Sequence, residues 1–473
     1  MNDLNAPNAL PIRLDFASAV GIGDQIHKSL RLAILDGRLK SGQRLPSGRD
    51  LAAQLGVARG TIRVAYDRLA AENLVYGAGS AGTRVRAQRL ATPSDHEPPI
   101  DRPLAAFTRP YSSVPLPFQM GVPAHDAFPV KLWSRMQARA ARAAIDHTTY
   151  SDPRGESELR SQISSHLAVS RQVRCHPDQV IVTSGYRQSL LLTLTALQAN
   201  GRKAWIEEPG YPVGRRAMEL FGVVLESVQV DDEGLRVMDG IESAPDALLA
   251  LVTPGQHAPL GVTLSPARRH ALIKWAIERD TWIVEDDYLG ELQLDGRASP
   301  ALAASEGSER VIHLGSFSKT LSPQLGLGFV VAPLSLAERF IEVCAMLLPA
   351  PNRSSQLAVT EFLSNGHFLR HLRQMKDVYT ERRKIATSHI RKFLPGTVAA
   401  GLGLISPLPT KIDDRVIVDI ARSQSLAPSA LSHWYVNRTH AQNGLLLSVT
   451  NLHMRNIDAA CEKLAEIITS QSS

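Results

Sequence analysis

The sequence predicts a mainly α, N-terminal winged helix-turn-helix module, joined by a linker to a three-layer α/β domain that ends in a small α+β subdomain. Three observations predict this. Two short helix-like segments joined at Gly56 are followed by a glycine-tipped pair of strand-like runs between Leu74 and Val85. A proline-rich stretch without periodicity occupies residues 88–117. From Phe118 onward strand-like and helix-like segments alternate, the pattern of a sheet covered by helices on both faces. The 473 residues exceed what one ordinary core can organise, so the expected parts are 1–87, a spacer 88–117, and 118–473, with the small subdomain from about residue 370.

Composition narrows the function classes. With 44% apolar and 21% charged residues the chain reads as globular, and no apolar run is long enough to span a bilayer. The N-terminus lacks the basic and apolar blocks of a signal peptide, so the expectation is a cytoplasmic protein without a membrane partner. Three separated cysteines, Cys175, Cys344 and Cys461, suit neither a disulfide framework nor a metal site. The net charge is +6, and residues 1–86 hold twelve Lys/Arg against seven Asp/Glu, or +5. A basic excess concentrated in so small a part of the chain points to nucleic acid.

The elements of the first module follow in order. Ile26, Leu30, Leu32 and Ile34 or Leu35 recur at roughly helical spacing between Gly23 and Asp36, and Gly37 ends the run. Ser47 stands three residues before Asp50, a capping arrangement, and opens a helix with Leu51 and Leu55 on one face. A further helix over about 58–71 turns Ile62, Tyr66 and Leu69 inward and presents Arg59, Thr61, Arg63 and Arg68 on the other side. This is the layout of a helix-turn-helix whose second helix enters the major groove of double-stranded DNA, with the following hairpin as a wing tipped by glycines such as Gly82. The spacing Gly37-x-Leu39-x-x-Gly42-x-x-Leu45-Pro46-Ser47-x-Arg49-x-Leu51-Ala52, continued by Leu55-x-Val57-x-Arg59-x-Thr61, resembles the GntR family of winged-helix transcription factors. That resemblance implies operator contacts from Ser47, Arg49, Arg59, Thr61, Arg63 and Gly82. Asn73 stands where the family usually has Gly, and Asn tolerates the same left-handed backbone.

In the body, five strand-like runs end in polar or glycine-rich residues: 179–185, 203–212, 248–254, 281–288 and 311–317. The ligand site of an open parallel sheet lies at such C-terminal ends. Lys319 sits in a polar turn between two apolar runs, where burial would leave its amine neutral and able to form a Schiff base with a carbonyl. Asp286 offers a carboxylate for a pyridine nitrogen, Tyr288 a phenol for the neighbouring oxygen, and Tyr211 a ring to stack. Gly185, Tyr186 and Arg187 form a strand-to-helix turn suited to a phosphate, and Ser316 and Ser318 flank the lysine. These parts together answer the needs of pyridoxal 5'-phosphate.

The motifs Phe118-x-x-Gly121-x-Pro123, Tyr150-x-Asp152-Pro153-x-Gly155, Glu285-Asp286-Asp287-Tyr288 and Ser316-Phe317-Ser318-Lys319-Thr320 resemble the fold-type I aminotransferases, and specifically the MocR group of GntR regulators. The resemblance covers essentially the whole chain. It implies pyridoxal phosphate on Lys319, a domain used as sensor rather than enzyme, a domain-swapped head-to-tail homodimer on operator DNA, and as effector a small amine or the cofactor itself. Three departures bear on mechanism. Gly326 replaces the family's phosphate arginine, and Arg187 is the candidate substitute. Residues 253–261 read TPGQHAPLG, with Ala258 and Leu260 in place of an aromatic and a hydroxyl. Leu446 or a neighbour stands near the position of the carboxylate-binding arginine.

Overall fold

The computed structural model describes residues 12–86, 114–146, 149–296, 298–409, 411–437, 439 and 441–471. The chain divides into two units at residue 105. The expected spacer, 88–117, lies almost entirely outside the described residues.

In the first unit α1 spans Ile22–Leu35, α2 Gly48–Leu55 and α3 Arg59–Ala71, followed by the antiparallel strands β1 (Val75–Gly77) and β2 (Thr83–Val85). Ser47 caps α2, its hydroxyl accepting the Asp50 N–H at 3.1 Å, and Gly56 ends the helix with φ +66°. Ile26, Leu30, Leu51, Ile62 and Leu69 are fully buried in one core. Leu32, at helical spacing in the sequence, is 47% exposed because Ala33 and Ile34 carry the buried stripe of α1, while Tyr66 is half-buried and packs against this core beside the fully buried Ala65. The Tyr66 hydroxyl donates to the Pro46 carbonyl at 2.9 Å, tying α3 to the entry of α2.

The second unit is built on an eight-stranded sheet. Its strands are β3 (Val180–Thr183), β4 (Lys203–Glu208), β5 (Val224–Asp231), β6 (Gly234–Leu235), β7 (Leu249–Val252), β8 (Trp282–Asp286), β9 (Val311–Ser316) and β10 (Gly328–Val331). Their order is β3-β10-β9-β8-β7-β4-β5-β6. The five expected runs all form strands, and β3, β9 and β10 are almost wholly buried, as strands covered on both faces should be.

The sheet is mixed rather than wholly parallel. β10 runs antiparallel to both β3 and β9. Residues 317–327 connect β9 to β10, too short a stretch for the crossover a parallel neighbour requires, so the chain turns back. That turn carries Lys319. β5 was not anticipated, because at the sheet's margin its side chains are mostly only part-buried and give no apolar run.

The small subdomain carries β11 (Val398–Ala400), β12 (Gly403–Pro407), β13 (Ser429–Ala430) and β14 (Gly444–Ser448), in the order β11-β12-β14-β13. Helices Asp414–Ser423 and Ile457–Ser470 accompany it, and the long basic helix leading into it runs from His367 to Ile390. Arg382 and Arg383 on that helix are buried, pairing with Asp126 and Asp295. The segment after the spacer also joins this sheet. Phe118, fully buried at φ +67°, bridges to Ser448, and the Pro117 carbonyl accepts the Ala427 N–H at 2.9 Å. Among the described residues no helix is long and apolar enough to cross a membrane, and no cluster of side chains is suited to a metal ion.

Candidate functional site

In the N-terminal unit most of the side chains expected to meet DNA are exposed. Arg49, Arg59 and Arg63 are exposed, and Thr61 is half-buried near the start of α3. Arg49 and Arg59 have no acidic partner among the described residues, whereas Arg63 lies 3.8 Å from Asp67 one turn on. The Ser47 hydroxyl is occupied as the α2 cap, so a DNA contact from this residue would compete with the cap. Gly82 stands where the wing loop rejoins β2 rather than at its tip, which is Gly79–Ala81. At φ +81°, with an added Cβ meeting Arg44 Nε at 2.9 Å, Gly82 is required by backbone shape. The backbone of Arg44, ahead of α2, bridges that of Arg84 on β2 and sets two further cations beside the wing; neither falls on a helix face, so helical periodicity does not signal them.

In the second unit a cavity of about 550 Å³ opens between the C-terminal strand ends of the large sheet and the small-subdomain sheet. All nine expected residues line it: Gly185, Tyr186, Arg187, Tyr211, Asp286, Tyr288, Ser316, Ser318 and Lys319. The Lys319 ammonium nitrogen, Nζ, donates to the Gly121 carbonyl at 3.0 Å. Gly121 belongs to the segment that Phe118 anchors to β14, so the lysine is held between the two parts of the body. Burial pulls the Lys319 pKa down, opposed by the charge of Asp286.

Asp286 ends β8 and is 7% exposed, and among the described residues no hydrogen bond reaches its carboxylate. Burial, then the charges of Asp287 and Glu207, push its pKa up to about 8, with Lys319 and His313 acting the other way. Its neighbours in sequence are paired. Arg171 donates to Asp287 at 2.6 and 3.1 Å, and Glu285 meets His313 at 2.9 Å while accepting the Leu302 and Ala303 N–H groups. These buried pairs fix both sides of Asp286 and leave its own carboxylate unpartnered. Glu207, absent from the sequence reading, is raised to about 7 by burial although Thr253 donates to it twice. Its relevance depends on long-range packing that no local motif signals.

Gly185 precedes helix Tyr186–Ala196 with φ +96°, and the Tyr186 and Arg187 N–H groups find no acceptor among the described residues. Free amides at a helix start, beside an arginine and two serines, form an anion cup. Tyr186, Tyr211 and Trp434 line one wall, with ring centroids 5.6 and 5.8 Å apart. Gly326 also lines the cavity, at φ +54°.

Comparison with known proteins decides the family. Residues 22–85 match the bacterial regulatory proteins of the gntR family, and residues 116–462 match aminotransferase class I and II. The probable rhizopine catabolism regulatory protein MocR of Rhizobium meliloti is 32% identical over 450 residues, covering 92% of this chain and 91% of that one. The chain is a MocR-type GntR regulator. The HTH-type pyridoxine biosynthesis transcriptional regulator PdxR of Corynebacterium glutamicum is 33% identical, covering 92% of this chain and 94% of its own. This MocR-type chain is thus a DNA-binding transcriptional regulator with an aminotransferase-like body.

Solved structures share the body's fold. Pyrococcus horikoshii kynurenine aminotransferase aligns with a TM-score of 0.68 at 22% identity, covering 78% of this chain and 96% of that one. The α-aminoadipate aminotransferase LysN of Thermus thermophilus gives 0.67 at 24%, covering 76% and 92%. The cavity's groups fit the cofactor used by this fold. A lysine amine biased toward neutrality, an unpaired carboxylate, a phenol and an anion cup share one enclosure, and the Asp286 carboxylate is the group that lacks a partner.

Proposed function

We propose that this regulator holds pyridoxal 5'-phosphate at Lys319 and uses the aminotransferase-like body as a sensor of a small amine or of the cofactor itself. The observation that carries the reading is the meeting of Lys319, the unpartnered Asp286 and the amide cup at Arg187 in one cavity. Bound there, pyridoxal phosphate supplies an aldehyde for the lysine and an electron-withdrawing ring. Asp286 would hold the proton of the pyridine nitrogen, Tyr288 would donate to the phenolic oxygen, Tyr211 would stack on the ring, and Ser316, Ser318, Gly185, Tyr186 and Arg187 would cradle the phosphate. The body dimerises and so supplies two recognition helices for an operator with two half-sites in the cytoplasm. Arg49, Arg59, Thr61 and Arg63 make the operator contacts, with Gly82 shaping the wing.

The small subdomain forms one wall of the cavity, so ligand occupancy biases its position against the large sheet and changes the spacing of the DNA modules. The relation to a protein named as a pyridoxine biosynthesis regulator supports the cofactor as signal, while the space beyond the cofactor's groups supports an amine. Titration of the purified protein with pyridoxal phosphate tests the reading. A visible absorbance band should appear with wild type and be absent with Lys319→Ala, and a band unchanged in the variant sinks it. Repeated spectral cycling with amino and keto acids would instead mark a working aminotransferase. On DNA selected from random duplexes, Arg59→Ala should weaken binding and lower the salt dependence by about one phosphate contact.

A further inference from the structure

We infer that the cavity takes a primary amine with an apolar body and no carboxylate. The inference rests on the reading of Lys319 and Asp286 as a cofactor site and names the ligand class of that site. The cavity is divided by chemistry. Charged groups gather at the strand ends, where Lys319, Asp286 and Arg187 stand. The wall contributed by the small subdomain is apolar. Ile405 on β12 and Leu446 on β14 are cross-strand partners and pack with Trp434 and Ala258 in one cluster. Every one of these four also lines the cavity.

The hydroxyls on that wall are already in use. The Ser448 and Thr450 hydroxyls lie 2.9 Å apart, and Thr450 donates to the Val122 carbonyl at 2.6 Å. His257 reaches the same space, but burial holds its pKa down to about 3, so the ring is neutral; its Nδ1 accepts the Leu260 N–H at 3.3 Å, and its Nε2, without a hydrogen-bond partner among the described residues, faces the Glu207 carboxyl at 3.6 Å. A carboxylate set against this wall loses its hydration and meets no cation among the described residues, which is strongly unfavourable. Arg187 does not relieve it, because in the reading above the cofactor phosphate occupies that group. An alkyl or aryl body gains there what an amino acid forfeits: apolar surface removed from water against Ile405, Leu446 and Trp434.

Matched ligand pairs on the full-length protein loaded with pyridoxal phosphate test this directly. Phenethylamine is compared with L-phenylalanine and isoamylamine with L-leucine, each titration followed by the visible spectrum and by the shift in melting temperature. The expected result is at least ~100-fold tighter binding of each amine than of its amino acid. Equal affinity, or tighter binding of the amino acids, overturns the inference while leaving the cofactor reading intact. Absence of any Lys319-dependent band with pyridoxal phosphate overturns both. Leu446→Arg is expected to move the preference toward the amino acids by ten-fold or more. Because Leu446 is buried, the comparison of ligands on the wild-type protein decides the matter if that variant does not fold.

Discussion

Arg187 and Gly326 line the same cavity, so the proposal that Arg187 takes the place of the family's usual phosphate arginine can be tested at both positions. Arg187 is exposed at the helix start, and its charge opposes the upward shift that burial, then the charge of Asp286, give the Tyr211 phenol. Because its guanidinium is solvated, Arg187→Ala should weaken pyridoxal phosphate binding by about ten-fold, read by absorbance titration. Adding Gly326→Arg to that variant should restore affinity. The added side chain meets nothing within 4 Å of its Cβ, though its φ of +54° costs about 1 kcal/mol. No recovery would mean that position 326 does not reach the phosphate.

Asp286 makes a second residue-level prediction. In the cofactor-free protein its folded pKa of about 8 lies above its ordinary 3.8, so between these values the folded chain holds a proton that the unfolded chain has lost. Stability therefore falls as pH rises through this window, by at most ~1.4 kcal/mol per unit. Glu207, near 7, acts in the same direction. His257, lowered to about 3, acts oppositely but only below its ordinary 6.5. Urea melts at pH 6.5 and 8 should thus show lower stability at the higher pH, and Asp286→Asn should shrink the difference. An unchanged slope would show that Asp286 is ionised throughout.

Among the elements, the turn from β9 to β10 does most to build the site, and it shows how far local sequence can be read. The apolar runs, the glycine at the helix-turn-helix joint and the Ser47 cap are local signals, and each element forms where its signal lies. So do the strand ends, which is why the nine candidate residues line one cavity. The reversal of β10 needs connection length as well as pattern, and the pairing of Phe118 with Ser448 joins residues over 300 apart, which periodicity cannot register. Leu32 falls outside the buried stripe of α1 because a two-residue offset from Leu30 or Ile34 moves a helical side chain to the opposite face. Gly328 begins β10 with an added Cβ 2.8 Å from the Gly315 carbonyl and 3.0 Å from Gly185 Cα. The lysine strand and the phosphate turn therefore approach as closely as backbone allows. Gly328→Ala should destabilise the body by about 1–3 kcal/mol and weaken pyridoxal phosphate binding as well. A variant destabilised in urea with unchanged cofactor affinity would separate the turn from the site.

On the scale of the whole molecule the chain carries its function as two cores. The first unit closes its own apolar centre around Ile26, Leu51 and Ile62, while the body closes others around its two sheets. A proline-rich stretch joins them in sequence. Units with separate cores unfold as separate cooperative steps unless a large apolar interface couples them. Calorimetry of the full chain should therefore show two transitions. Pyridoxal phosphate at about 100 times its dissociation constant adds ~2.7 kcal/mol to the state that binds it, so the body's transition should rise by a few degrees and the module's should stay in place. Operator DNA should do the reverse. Linkage between the two sites then has a definite signature: with both ligands present, each transition should exceed the value that its own ligand produces alone, or fall short of it, according to whether the cofactor favours or opposes DNA binding. A single transition that moves as one with either ligand would show that the two cores unfold together, and the sensor would then act through a rigid body rather than through a jointed chain.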